Sequence, residues 1–106
     1  MRAGMNARNV HPDVLSAIGH TPLVRLNKLV GPKDATVYVK LEFMNPGGSV
    51  KDRAARQIFL DAIARGELTR DRVLIDSTSG NTGVAYSLVG AALGYRVALV
   101  MPSNVS

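Results

Sequence analysis

Val73-Leu74-Ile75-Asp76-Ser77-Thr78-Ser79-Gly80-Asn81-Thr82-Gly83, running on through Val84–Leu93 and Gly94 to Arg96-Val97-Ala98-Leu99-Val100-Met101, decides the fold class. Val73 to Asp76 is a short apolar run bounded by polar residues, the pattern of a strand. Val84, Ala85, Leu88, Val89 and Ala92 fall on one face at helical spacing, and Gly94 is a natural stop, so Val84–Leu93 is expected as a helix. Arg96 to Met101 is nearly all apolar, as for a strand covered on both faces. Strand, helix and strand make a βαβ unit with a polar, glycine-containing loop over Ser77 to Gly83. The fold class is therefore α/β, an open, mostly parallel sheet with flanking helices. Pro102-Ser103 reads as the start of a further helix with Ser103 as N-cap. A buried parallel strand followed by so little chain leaves an edge and a face uncovered, so the sequence is expected to be a piece of a larger protein or to need a partner.

Upstream, Val50, Ala54, Ile58 and Ala62 recur every four residues with Ala55, Phe59 and Ile63 beside them, which predicts a helix over 50–65 ending at Gly66. Asn45-Pro46-Gly47-Gly48 is turn chemistry, Ser49 is a fitting N-cap, and Asp52 three residues on approaches a capping box. Leu23 to Leu29 reads as extended after Thr21-Pro22, and Val37 to Glu42 alternates as a strand with two different faces. Gly31-Pro32 lies between them, so an antiparallel hairpin is expected. A short helical turn is expected near Pro12 to Ala17.

Composition narrows the class. Of 106 residues, 46% are hydrophobic and 20% charged, which suits a soluble globular domain and argues against disorder. The net charge of +5 could suit nucleic acid, but Arg25, Lys40, Arg53, Arg65 and Arg96 are scattered rather than clustered, so none is expected as a partner. The absence of cysteine excludes disulfides and thiolate metal sites. His11 and His20, parted by Pro12, have no ligand cluster beside them, and no metal is expected. No apolar run reaches membrane-spanning length and residues 1–9 lack the apolar core of a secretion signal, so no membrane partner and a cytoplasmic location are expected.

Two stretches carry chemistry. Lys51 stands in the first turn of a helix behind a glycine turn. A positive helix end disfavours an ammonium, and a neutral amine is the nucleophile of Schiff-base chemistry. A solvated surface lysine near a cap explains the same residues. A phosphate-cradling P-loop does not, because Asp52 rather than Ser or Thr follows the lysine. Thr78, Ser79, Gly80, Asn81 and Thr82 gather hydroxyls, an amide and free N–H groups at the carboxyl end of a parallel strand, a place suited to a carboxylate or phosphate. Plain capping of the next helix is the rival reading. Asp76 is expected to support that loop, and Glu42 to be a strand-end residue.

Asn45-Pro46-Gly47-Gly48-Ser49-Val50-Lys51-Asp52-Arg53, followed by Thr78-Ser79-Gly80-Asn81-Thr82-Gly83, resembles the signature pair of the cysteine synthase (O-acetylserine sulfhydrylase) and cystathionine β-synthase family of pyridoxal-phosphate-dependent enzymes. Ile18-Gly19-His20-Thr21-Pro22-Leu23-Val24-Arg25-Leu26 and Met101-Pro102 resemble it too. The resemblance implies the N-terminal portion of a two-domain fold-type II enzyme. Residues 1–42 would be an N-terminal segment and hairpin that packs on the larger domain, and 43–106 the start of the smaller α/β domain. It implies that Lys51 holds pyridoxal 5'-phosphate as a Schiff base and serves as the catalytic base. It implies that Asn81 bonds the cofactor's ring oxygen, and that Thr78, Ser79, Gly80, Asn81 and Thr82 form the loop that binds the substrate carboxylate. The reaction implied is β-replacement of the acetate of O-acetylserine by sulfide to give cysteine, with a cystathionine β-synthase-type reaction or a non-catalytic fragment as alternatives. A homodimer is implied for the full-length family protein. The family's phosphate-binding glycine loop and the hydroxyl residue facing the pyridine nitrogen lie downstream of these residues, so Lys51 and the Asn81 loop would be half of a site.

Overall fold

A computed structural model describes residues 9–105. A short helix α1 (Val14–Ala17) opens it, with the Asp13 carboxylate accepting from the Ser16 amide. Strands β1 (Leu23–Arg25) and β2 (Tyr38–Lys40) pair antiparallel, Leu23 opposite Lys40. The expected hairpin forms but is shorter than the alternating pattern implies, and all six strand residues are exposed. Glu42, expected at the strand end, lies in a 3₁₀ turn, Glu42–Met44.

Helix α2 spans Lys51–Ala64. Its cap is Val50 rather than Ser49, because the chain enters through a tight turn. Asp52 N donates to Ser49 O and Arg53 N to Val50 O, both three-residue steps. Ser49 still helps, as its Oγ accepts from the Lys51 amide at 3.1 Å. At the far end Gly66 takes φ +74°, its amide bonding Ile63 O while Glu67 N bonds Ala62 O. This is the Schellman closure that only a residue free to adopt a left-handed backbone makes cheaply. The buried stripe of α2 is Asp52, Ala55 and Phe59. Of the expected apolar positions, Ala55 and Phe59 are buried and Ala62 and Ile63 pack against the core, whereas Val50, Ala54 and Ile58 lie exposed.

Strand β3 (Val73–Ser77), helix α3 (Asn81–Leu93) and strand β4 (Arg96–Val100) form the expected βαβ unit, with β3 and β4 parallel and Leu74 opposite Val97. Helix α3 begins three residues earlier than Val84, so Asn81, Thr82 and Gly83 belong to its first turn. The polar residues there misplace the start when apolar spacing is the guide. Gly94 at φ +79° ends α3 as expected. The sequence predicts β4 covered on both faces; only one is. Leu74, Val97 and Leu99 pack with the core, whereas Ile75 is 67% and Val100 54% exposed. Ser103 and Asn104 form a turn, and no helix starts there among the described residues.

The core lies between α2, α3 and the covered sheet face: Ile18, Ala55, Phe59, Leu68, Ala85, Tyr86 and Val89. Phe59 is fully buried, with Tyr86 edge-on at 6.2 Å and Tyr95 tilted at 6.3 Å. Helix α3 rides close on β4 because two of its residues lack side chains. A Cβ on Gly90 would stand 2.5 Å from Val97 Cγ2, and one on Gly83 would stand 3.1 Å from Leu99 Cδ1.

Candidate active site

The Asn45–Arg53 stretch is held by a polar hub centred on Glu42. Arg53 forks onto it, Nε to Oε2 at 2.9 Å and Nη2 to Oε1 at 2.8 Å. Thr21 Oγ1 donates to Oε1 at 2.9 Å and Asn45 Nδ2 to Oε2 at 2.7 Å. Gly19 closes the ring, its amide donating to Asn45 Oδ1 at 2.8 Å and its carbonyl accepting from Arg53 Nη2 at 3.0 Å. The Arg53 side chain is 38% exposed and that of Glu42 23%, so water screens the pair, and its main effect is geometric. The Arg53 hydrogen bonds, with those from Thr21 and Asn45, outweigh partial burial and lower the Glu42 carboxyl to about 2. The hub ties the N-terminal loop, the residues after β2 and the first turn of α2 into one piece. Sequence reasoning misses it. One signal is available: a cation in the first turn of a helix opposes the helix dipole, so Arg53 needs a nearby anion.

The glycine turn is fixed from the other side. Asp52 is fully buried, and its Oδ2 accepts from Gly47 N at 2.5 Å. This replaces the expected capping box, since the carboxylate reaches five residues back to Gly47 instead of to Ser49. Gly48 then turns the chain at φ +90° into α2. Lys51 emerges as the first residue of α2, exposed, and it enters no ion pair among the described residues.

The second stretch lies at the start of α3, which packs against α2. A cleft of about 340 Å³ opens there, lined by Thr78, Ser79 and Gly80, by Gly83 and Ser87 of α3, and by Leu99. Gly80 is the N-cap of α3 and supplies no side-chain bond to the first amides. Space around Gly80 is open, with nothing within 4 Å of a Cβ placed there. Plain capping therefore does not use up these donors, and the positive end of a 13-residue helix faces open space. Asn81 is exposed in the first turn and Thr82 half-buried, but neither they nor Lys51 line the cleft. The structure thus brings together Thr78, Ser79 and Gly80 and leaves Lys51 on the neighbouring helix. Below the loop, Asp76 Oδ1 accepts from Ser77 N at 2.8 Å. Burial first, and the Asp76 carboxylate second, push the Tyr86 phenol above its ordinary value. The rings of His11 and His20 lie 4.7 Å apart.

The donor set suits pyridoxal phosphate. It offers an exposed primary amine at one helix start and hydroxyls with uncapped amides at another, where an anionic group is favoured.

Comparison with known proteins agrees. The family described as pyridoxal-phosphate dependent enzyme matches residues 14–106. The cysteine synthase of Aquifex aeolicus (strain VF5) is 52% identical over 102 residues, which are 93% of this chain and 31% of that protein. A cystathionine beta-synthase of Apis mellifera is 45% identical over 101 residues, 92% of this chain and 20% of that protein. The crystal structure of a cysteine synthase from Entamoeba histolytica superposes with a TM-score of 0.87 at 41% identity, covering 100% of this chain and 32% of that one. The chain spans less than a third of the length of these relatives.

Proposed function

Because the chain belongs to the pyridoxal-phosphate-dependent enzyme family, we propose that it forms the lysine-bearing half of the active site of a cysteine synthase. The reaction would replace the acetate of O-acetylserine with sulfide to give cysteine. Bound pyridoxal phosphate supplies an electron sink for charge developing at the substrate α-carbon. Lys51 Nζ would hold the cofactor, and its amine would serve as the general base for the substrate α-proton. Asn81 would hydrogen-bond the cofactor's ring oxygen. Thr78, Ser79, Gly80 and Thr82, with the amides opening α3, hold the substrate carboxylate and so fix which face of the α-carbon Lys51 meets. Residues 43–106 would belong to the smaller α/β domain and residues 1–42 would pack on the larger one. The working enzyme would be a cytoplasmic homodimer.

The observation that carries this reading is that two packed helices open on complementary chemistry, α2 on the exposed amine of Lys51 and α3 on uncapped amides beside a cleft. It is tested by loading the natural polypeptide with pyridoxal phosphate, reducing with borohydride and mapping the labelled peptide by mass spectrometry. The label is expected on Lys51, and Lys51→Ala should abolish both label and cysteine formation. A label on another lysine would refute the assignment.

A further inference from the structure

Asp52 is the one side chain of the first turn of α2 that is wholly buried, and it packs against the glycine turn. A Cβ on Gly47 would overlap the Asp52 carboxylate, so that carboxylate lies directly over the Gly47 Cα. Oδ2 accepts from the Gly47 amide, and Oδ1 is buried with no hydrogen-bond partner among the described residues. Leaving a carboxylate oxygen unpartnered is costly, and such groups are uncommon in folded proteins. The cost has a geometric return. The hydrogen on Gly47 that stands where a side chain would be faces Oδ1, a close approach that only glycine permits. Gly47 and Asp52 thus form a clamp across the turn that delivers Lys51 into the helix, with the lysine as the residue next to the clamping acid.

We propose that Asp52 is a positioning residue. By holding Gly47 through its backbone amide it sets the direction in which the Lys51 amine leaves α2, and so the fit of that amine to the cofactor. The inference rests on the assignment of Lys51 as the cofactor lysine. The hub of Glu42 with Arg53 fixes the next residue, so two consecutive anchored residues follow Lys51, whose own side chain is exposed.

The test uses four variants of the natural polypeptide: Asp52→Ala, Asp52→Asn, Gly47→Ala and Lys51→Ala. Cofactor affinity, the visible circular dichroism of the bound cofactor and the thermal midpoint of the cofactor-free protein are measured for each. Asp52→Ala and Gly47→Ala, which break the clamp from opposite sides, should each weaken pyridoxal phosphate binding about tenfold, the size of one lost buried hydrogen bond. Both should change the visible dichroism, which reports how the cofactor is held. Asn keeps an acceptor for the Gly47 amide, so Asp52→Asn should bind within about threefold of the parent, well under the effect of losing that bond. If Asp52→Ala lowers the thermal midpoint but leaves affinity and dichroism at parental values, Asp52 is structural only and the proposal is overturned. It is equally overturned if Asp52→Asn binds as poorly as Asp52→Ala. A borohydride-fixed label that survives Lys51→Ala would instead overturn the lysine assignment, a separate outcome.

Discussion

Gly90→Ala sets two effects of similar size against each other. Replacing an interior helical glycine with alanine gains about 1 kcal/mol in helix propensity. At this position the new methyl would stand 2.5 Å from Val97 Cγ2, 3.2 Å from Tyr95 O and 3.4 Å from Phe59 Cζ. Carbon atoms pack comfortably at about 3.5–4.0 Å, so the first contact overlaps by about 1 Å. None of the three neighbours yields easily. Val97 is β-branched and sits on β4 opposite Leu74, Tyr95 O is backbone, and Phe59 is fully buried. Overpacking costs about 1–3 kcal/mol, and the rigid surroundings place this case in the upper part of that range. The variant should therefore be destabilised by about 1–2 kcal/mol despite the better helix former. Equilibrium urea unfolding gives the difference from the midpoint at unchanged slope. Val97→Ala removes the nearest overlap, so the double variant should be less destabilised than the sum of the singles by about 1 kcal/mol. A Gly90→Ala protein as stable as its parent, or strictly additive costs, would refute the reading of a side-chain-free contact between α3 and β4.

Phe59→Ala empties the centre of the core and should cost about 3–5 kcal/mol in the same urea assay; a loss below about 1 kcal/mol would mean that the pocket collapses around the truncation. Glu42 gives an acid dependence. Its folded value is lowered from 4.5 to about 2, so the stability it contributes is present above 4.5 and lost as pH falls from there through about 2. The thermal midpoint of the parent should drop across that window more than that of Glu42→Gln, and parallel pH profiles would contradict the hub.

What can be read from the residues is local. The βαβ unit and the hairpin follow from apolar spacing and turn chemistry within about ten residues, and Gly66 and Gly94 stop their helices where a left-handed backbone is needed. What cannot be read depends on distant partners. Glu42 reads as a strand end because Arg53 and Thr21, 11 and 21 residues away, meet it only after the chain folds back. Asp52 reads as a cap because a carboxylate three residues after serine serves that purpose in many helices, and nothing local says that Gly47 will lie closer. On α2 the expected Val50, Ala54 and Ile58 prove exposed although they are as apolar as Ala55 and Phe59, which are buried. Apolar character alone does not say which face meets α3. The candidate site is legible in its residue types, whereas its geometry, with Thr78, Ser79 and Gly80 around the cleft and Lys51 on the next helix, is not.

The guanidinium of Arg56 donates from α2 to the carbonyls of Leu15 and Ile18, at 2.9 and 3.2 Å. These bonds span 41 and 38 residues, so holding the segment around α1 against α2 carries a loop-closure entropy that the bonds within either helix do not. In amide exchange that segment should behave as a latch, opening and reclosing ahead of the βαβ unit beneath it.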